Sequence, residues 1–304
     1  SKPLTASYIP LGISGTNKAY LELSTLPSIN LSQRFEYLVQ YPHGCVEQTT
    51  SSVFAGLFLN DITDLSSNQK NVIDQSVKAA INRLKGFQTN SGGLSYWPGL
   101  NEADEWGTNY AGHFLLEASA RGYNVPGNMM QQWKQFERVK ANGWNVTTAP
   151  WYGSDLTQAY RLYLLALAKS PELGAMNRLK EFKFITPEAK WRLAAAYQLA
   201  GQSQVALQLI SGLSSSFAKR TDPGISYGSD LRDQAMVLEA LTIMNRKAEA
   251  AQLVKSVAAK IAEENWYSTQ TTAYSLIAIA KFSGTDKSSQ KINAVASVNG
   301  KSTN

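Results

Sequence analysis

The chain has 304 residues, 43% of them hydrophobic and 10% aromatic, with one cysteine and two histidines. That supports a substantial core in one large or two ordinary domains, and it excludes an internal disulfide framework and a cysteine/histidine zinc cluster. The net charge of +6 comes from lysines and arginines spread singly, and the densest patch, Arg178 to Arg192, is broken by Glu181 and Glu188, so it reads as a solvated helical face and not as a nucleic-acid footprint. No uninterrupted apolar stretch is long enough to span a bilayer. Ser1-Lys2-Pro3-Leu4-Thr5 does not begin like a signal peptide, so any targeting signal is expected to be removed or to lie on a longer parent.

In chain order, residues 1 to 27 stand apart. Asn17 to Ser24 alternates polar and apolar residues as a half-buried strand does, punctuated around it by Pro3, Pro10, Gly12, Gly15 and Pro27. The period then becomes helical. Helices are predicted near 29 to 40, 45 to 60, 67 to 88, 108 to 122, 126 to 142, 154 to 169, 174 to 182, 187 to 200, 203 to 213, 229 to 244, 247 to 264 and 268 to 282, each bounded by Gly, Pro, Ser, Asp or Asn. That makes about twelve helices, or six hairpins. Lys291 to Gly300 is again a short alternating run, ending in the turn pair Asn299-Gly300.

A loose internal repeat supports the pairing of helices. Gly93-Leu94-Ser95-Tyr96 before one helix recurs as Gly224-Ile225-Ser226-Tyr227 before another. Thr157 to Leu162, Asp233 to Leu238 and Thr271 to Leu276 also share a pattern. Repeated hairpins stack to bury faces that none can bury alone. Six of them can close into an α/α toroid, with an inner ring of small and apolar residues such as Leu164 to Ala168 and Ile277 to Ala280.

The only cysteine lies in Tyr41-Pro42-His43-Gly44-Cys45-Val46-Glu47-Gln48-Thr49-Thr50. The apolar run after it (Val53, Phe54, Leu57, Phe58) has helical spacing, so Cys45 to Gln48 is expected to form a first turn capped by Pro42-His43-Gly44. Residues three apart share a helix face, so the Cys45 thiol and the Gln48 carboxamide can meet. The free amides and positive dipole end of that turn favour a thiolate and would stabilise an oxyanion on the Gln48 carbonyl. A thiolate beside a carboxamide can displace ammonia to give an internal thioester. The plainer alternative is a small buried cysteine on an ordinary helix, with Glu47 and Gln48 as solvated first-turn residues.

The segment Gly44-Cys45-Val46-Glu47-Gln48 resembles the thioester motif of the α2-macroglobulin and complement superfamily, in its bacterial α2-macroglobulin form. The resemblance extends to Ser91 to Gly99, Tyr110 to Ala118, Gln158 to Leu167 and Gly174 to Leu179, and covers roughly residues 28 to 283. It implies an all-α toroid at 28 to 285 inserted in a CUB-like β-sandwich, whose strands would supply the segments 1 to 27 and 286 to 304. It implies Cys45 and Gln48 as the thioester partners, and capture of attacking proteases once per molecule without turnover. No metal or organic cofactor is implied. The implied partners are proteases and the CUB-like and macroglobulin-type domains of the same parent, in a bacterial periplasm or cell envelope.

Glu47 belongs to the motif, and its role beyond favouring the helix dipole is open. A thioester needs a dry cover. Tyr41 is expected either to shield the bond or to pack on the toroid rim as a turn residue. His113 could serve as base to a Cys45 nucleophile, but among Ala111, Phe114, Leu115 and Leu116 it reads as a hydrogen-bonded core histidine. In complement members a histidine farther along the domain accepts the acyl group. The region around Ser154 to Gln158 has none, which implies direct attack by amines. Glu102, Asp104 and Glu105 could instead serve a toroidal glycoside hydrolase, although an exposed acidic loop is the preferred reading. A binding module without a living thioester is the remaining alternative. The sequons at Asn30 and Asn145 carry no expected role.

Overall fold

The computed structural model describes residues 44–63, 65–145, 154–215 and 226–285, the strands Ala296–Val298 and Lys301–Thr303, and single residues before 44. The strand predicted at Asn17 to Ser24 lies outside the described residues. So does most of the first predicted helix, although Arg34 and Leu38 are helical.

Eleven α-helices are described: α1 (Val46–Phe54), α2 (Ser67–Leu84), α3 (Glu105–Ala120), α4 (Gly127–Gly143), α5 (Ser154–Leu167), α6 (Leu173–Lys180), α7 (Pro187–Leu199), α8 (Ser203–Ile210), α9 (Asp230–Ile243), α10 (Lys247–Ala262) and α11 (Thr269–Thr285). α1 tightens into a 3₁₀ segment, Ala55–Asp61, and α2 is followed by another, Lys85–Phe87. Side-chain caps fix several starts. Ser66 and Gln69 form a capping box on α2, and Thr186 caps α7 with Pro187 in its first turn. α3 begins three residues earlier than predicted because the Asp104 carboxylate accepts from Gly107 N–H at 2.6 Å.

Alternate helices form a closed inner ring. α1 packs on α3, α3 on α5, α5 on α7, α7 on α9, α9 on α11, and α11 back on α1. Each remaining helix leans on the outside of this ring, which makes the architecture an all-α toroid. Burial follows the layers. α5 is buried from Asp155 through Ala166 and α11 from Thr269 through Ala280. Outer α2 hides only the stripe Ile73, Val77, Ala80, Ile81 and Leu84. A helix enclosed on all sides has no polar face, whereas one with a solvated side keeps the 3.6-residue stripe.

The inner ring is not lined by small and apolar residues alone. Glu239, fully buried, accepts from Arg192 (2.8 Å), Lys281 (2.6 Å), the Tyr274 hydroxyl (2.6 Å) and the Tyr163 hydroxyl (3.2 Å). The Arg192 guanidinium lies over the rings of Tyr160, Tyr163 and Tyr274 at 5.3, 4.5 and 5.7 Å from their centroids. Such burial is tolerable only because each charge is paired and hydrogen-bonded.

Close approach of α3 and α4 depends on Gly112. A Cβ there would lie 2.3 Å from Trp133 ring atoms, and that indole is held by its own bond to Thr108 O at 3.1 Å. Gly112→Ala is therefore expected to destabilise the toroid by about 1–3 kcal/mol through overpacking, measured by denaturant unfolding. The same substitution at Gly143, where nothing lies within 4 Å of the added atom, serves as the control.

Beyond the toroid, Ala296–Val298 and Lys301–Thr303 pair antiparallel, with Ala296 opposite Thr303 and Val298 opposite Lys301. The pair Asn299-Gly300 lies between these strands in the sequence.

Candidate functional site

The Cys45-to-Gln48 turn sits where the ring closes. Cys45 is the N-cap of α1, with extended backbone (φ −76°, ψ 164°), and its sulfur accepts from Gln48 N–H at 3.4 Å. The sulfur thus satisfies an amide that has no partner within the helix. Cys45 is 1% exposed, whereas Gln48 is half-buried. The two predicted partners therefore lie on one turn, Cys45 buried and Gln48 half-buried.

Glu47 is buried, in contrast to the solvated alternative. Its Oε1 accepts from Ser51 Oγ (2.7 Å) and from Thr269 Oγ1 (2.9 Å), and Oε2 also accepts from Thr269 (3.1 Å). Thr269 opens α11. Glu47 therefore ties the first described inner helix to the last across the ring seam. Burial pushes its carboxyl up, against the hydrogen bonds from Ser51 and Thr269.

The residues over the sulfur come from the two copies of the Gly-x-Ser-Tyr repeat. Tyr96 O accepts from Val46 N–H at 3.0 Å, which anchors the loop before α3 to the start of α1. The Tyr96 hydroxyl lies beside the Cys45 sulfur, where it opposes the rise in the thiol's pKa. The Tyr227 ring stacks on Tyr96 at 5.9 Å, which sets their hydroxyls side by side. Tyr227 has φ +49°, a conformation uncommon outside glycine, asparagine and aspartate. Its neighbour Ser226 is pinned by Arg232, which donates to Ser226 O (3.0 Å) and Oγ (3.1 Å) and also to Gln270 Oε1 (2.7 Å). Strain held by surrounding structure at a site is a pointer to function. The sequence reading placed the cover at Tyr41, which lies outside the described residues. It missed Tyr96 and Tyr227, although their signal was present in the repeat.

The electrostatics differ from the expectation of a favoured thiolate. Burial raises the Cys45 thiol above its ordinary value, the Glu47 charge adds to this, and the Gln48 N–H and the Tyr96 hydroxyl only partly oppose it. The pocket therefore disfavours a free anion on sulfur. A neutral acylated sulfur carries no such desolvation cost, so this environment favours the acyl form over the departed thiolate.

His113 is a core residue. Its Nδ1 lies 2.9 Å from the Tyr160 hydroxyl and its Nε2 3.5 Å from Lys281 Nζ, while Glu239 and Glu117 stand at 3.5 and 3.6 Å. Burial lowers its pKa. His113, Glu117 and Glu239 offer ligand atoms within 4.8 Å of one another, but the Lys281 ammonium bonds both carboxylates and supplies the cation.

Glu102, Asp104 and Glu105 line a cleft of about 780 Å³ together with Trp106, Lys140 and Arg161. Asp104 is occupied as the α3 cap. Burial alone would raise the Glu105 carboxyl, but Arg161 at 3.0 Å and Lys140 at 2.9 Å hold it below its ordinary value. Around Ser154 to Gln158 the side chains pack helices together. Asp155 accepts from Thr186 N–H (2.6 Å), and Gln158 donates to Ala141 O (3.0 Å).

Comparisons with known proteins find relatives of this chain and of its fold. Escherichia coli α2-macroglobulin is 27% identical over 272 residues, covering 84% of this chain and 16% of that protein. This chain thus spans about a sixth of that relative's length. The crystal structure of native E. coli α2-macroglobulin from domain MG7 to the C-terminus superposes with a TM-score of 0.73 at 25% identity, covering 85% of this chain and 43% of that one. Trypsin-activated E. coli α2-macroglobulin superposes with a TM-score of 0.65 at 25% identity, covering 81% and 17%. No family model matches the chain.

Proposed function

The chain belongs to the bacterial α2-macroglobulin family, and on that premise we propose that it is the thioester domain of a longer protease trap, with Cys45 and Gln48 joined as the stored acyl group. The observation that carries this reading is the Cys45 sulfur at the N-cap of α1, facing Gln48 N–H at 3.4 Å and buried at 1% exposure. An attacking protease cuts a bait segment in another domain and the parent rearranges. The Gln48 carbonyl then becomes reachable, and an amine on the protease is acylated as Cys45 leaves. Capture happens once per molecule. The trypsin-activated E. coli relative supports proteases as the partners.

Amines are favoured over hydroxyls because no histidine at 154 to 158 is available as an acyl relay, and His113 is committed to Tyr160, Lys281 and the two glutamates. The segments 1 to 27 and 286 to 304 belong, on this reading, to a flanking CUB-like domain. The parent resides in the periplasm or cell envelope, held there by a part outside this chain. No helix among the described residues is long and apolar enough to cross a membrane.

The test is the intact mass of the freshly prepared parent, before and after methylamine, with a parallel thiol titration. The expected result is a mass one ammonia below the sequence, a blocked thiol, and uptake of one methylamine with release of one thiol. A full sequence mass with a titratable Cys45 and no methylamine uptake would refute the reading.

A further inference from the structure

We propose that the Tyr96 hydroxyl is the hydrogen-bond donor to the leaving sulfur during acyl transfer, and that Tyr227 is the residue that positions it. The inference deepens the thioester reading above and rests on it. Tyr96 is anchored to the reacting turn, because its carbonyl accepts Val46 N–H at 3.0 Å, and this places its hydroxyl beside Cys45 Sγ. No exchange of helices is needed to bring the donor to the sulfur, because both sit on one anchored loop-to-helix junction.

The reaction shows why a donor belongs there. A new C–N bond forms at the Gln48 side-chain carbonyl carbon while the C–S bond to Cys45 breaks. The electron pair of that bond leaves on Sγ, and the attacking amine gives up one proton, which ends on the sulfur. Charge therefore develops on Sγ in a pocket where burial and the Glu47 carboxylate both oppose it. Fixed donors aimed at such an atom lower the barrier. Gln48 N–H is one such donor, at 3.4 Å, and Tyr96 is the side-chain one. Burial holds the Tyr96 phenol up at about 12, so at neutral pH it keeps its proton and can donate.

Tyr227 acts through Tyr96. Its ring stacks at 5.9 Å and 25°, which sets its hydroxyl beside that of Tyr96, while Arg232 holds the Ser226-Tyr227 turn in its positive-φ conformation. Trp97 also contacts the Tyr96 ring edge-on at 5.3 Å. The phenol is therefore held by two ring contacts and has little rotational freedom to lose in the transition state.

Tyr96→Phe and Tyr227→Phe keep both rings, which separates donation from covering. In the chain with its thiol free, Tyr96→Phe is expected to raise the pH at which Cys45 forms thiolate, followed by ultraviolet absorbance, by about one unit, the size of one bond to a charged acceptor. Tyr227→Phe shifts it the same way by less. In the parent, Tyr96→Phe retains the thioester mass but releases its thiol to methylamine about tenfold more slowly. An unchanged or faster release in Tyr96→Phe overturns the donor role and leaves the thioester reading standing, the faster case making the ring only a cover. Absence of methylamine uptake in the unsubstituted parent overturns both.

Discussion

Gln48→Glu is expected to abolish covalent capture completely while leaving the toroid folded. The substitution replaces one amide nitrogen by oxygen at a half-buried position, so packing is unchanged. The first turn of α1 tolerates another carboxylate, worth about 0.3–1 kcal/mol in its favour near a helix N-terminus. The chemistry does not survive the change. Thioester formation needs a neutral carbonyl and ammonia as the group displaced, whereas an ionised carboxylate repels the thiolate and offers only oxide or hydroxide to expel. The variant should show its full sequence mass, one titratable thiol and no methylamine uptake, with a denaturation midpoint close to that of the parent. Retention of a blocked, methylamine-sensitive Cys45 in this variant would remove Gln48 from the site.

Glu239→Ala should have the largest effect on stability, costing about 3–5 kcal/mol in denaturant unfolding. The carboxylate is fully buried, and its removal leaves Arg192 and Lys281 short of their countercharge and the Tyr274 hydroxyl without its 2.6 Å acceptor. The exposed Lys78–Asp74 pair, at a similar 2.8 Å, should contribute far less because water screens it. The contrast isolates burial as the cause.

The same network sets the acid limit. Burial alone would raise Glu239 and Glu117, but Lys281 outweighs it for both, helped by Arg192 at Glu239 and by His113 at Glu117, so that Glu117 is held at about 2. Folded values below the unfolded one mean that this stability is present above the ordinary 4.5 and is lost as the pH falls toward about 2. Glu137 runs the other way. Burial, only partly offset by Arg161, lifts it to about 7, so its contribution is present below 4.5 and fades as the pH rises through about 7. Unfolding free energy measured against pH should therefore fall at the acid end, and Glu117→Gln should flatten that fall.

Short-range pattern was enough for much of this protein. The periods of 45 to 282 placed the described helices to within a few residues, because caps such as Ser66 with Gln69 and Thr186 with Pro187 act within one turn. The spacing of Cys45 and Gln48 placed both at the start of one helix for the same reason, and the recurring hairpins implied a closed toroid. What tertiary structure alone decided is the environment of those residues. Tyr96 and Tyr227 meet only because the ring brings two distant loops over one sulfur, and Glu47 finds Thr269 only because the last inner helix returns to the first. Asp104 reads as an acidic loop residue until its carboxylate is seen on Gly107 N–H. The expectation of a favoured thiolate followed from the helix end, a local effect, and it was outweighed by burial, which the whole ring supplies. Backbone geometry depends on neighbours within a few residues, whereas desolvation and charge pairing depend on every element that packs against a site.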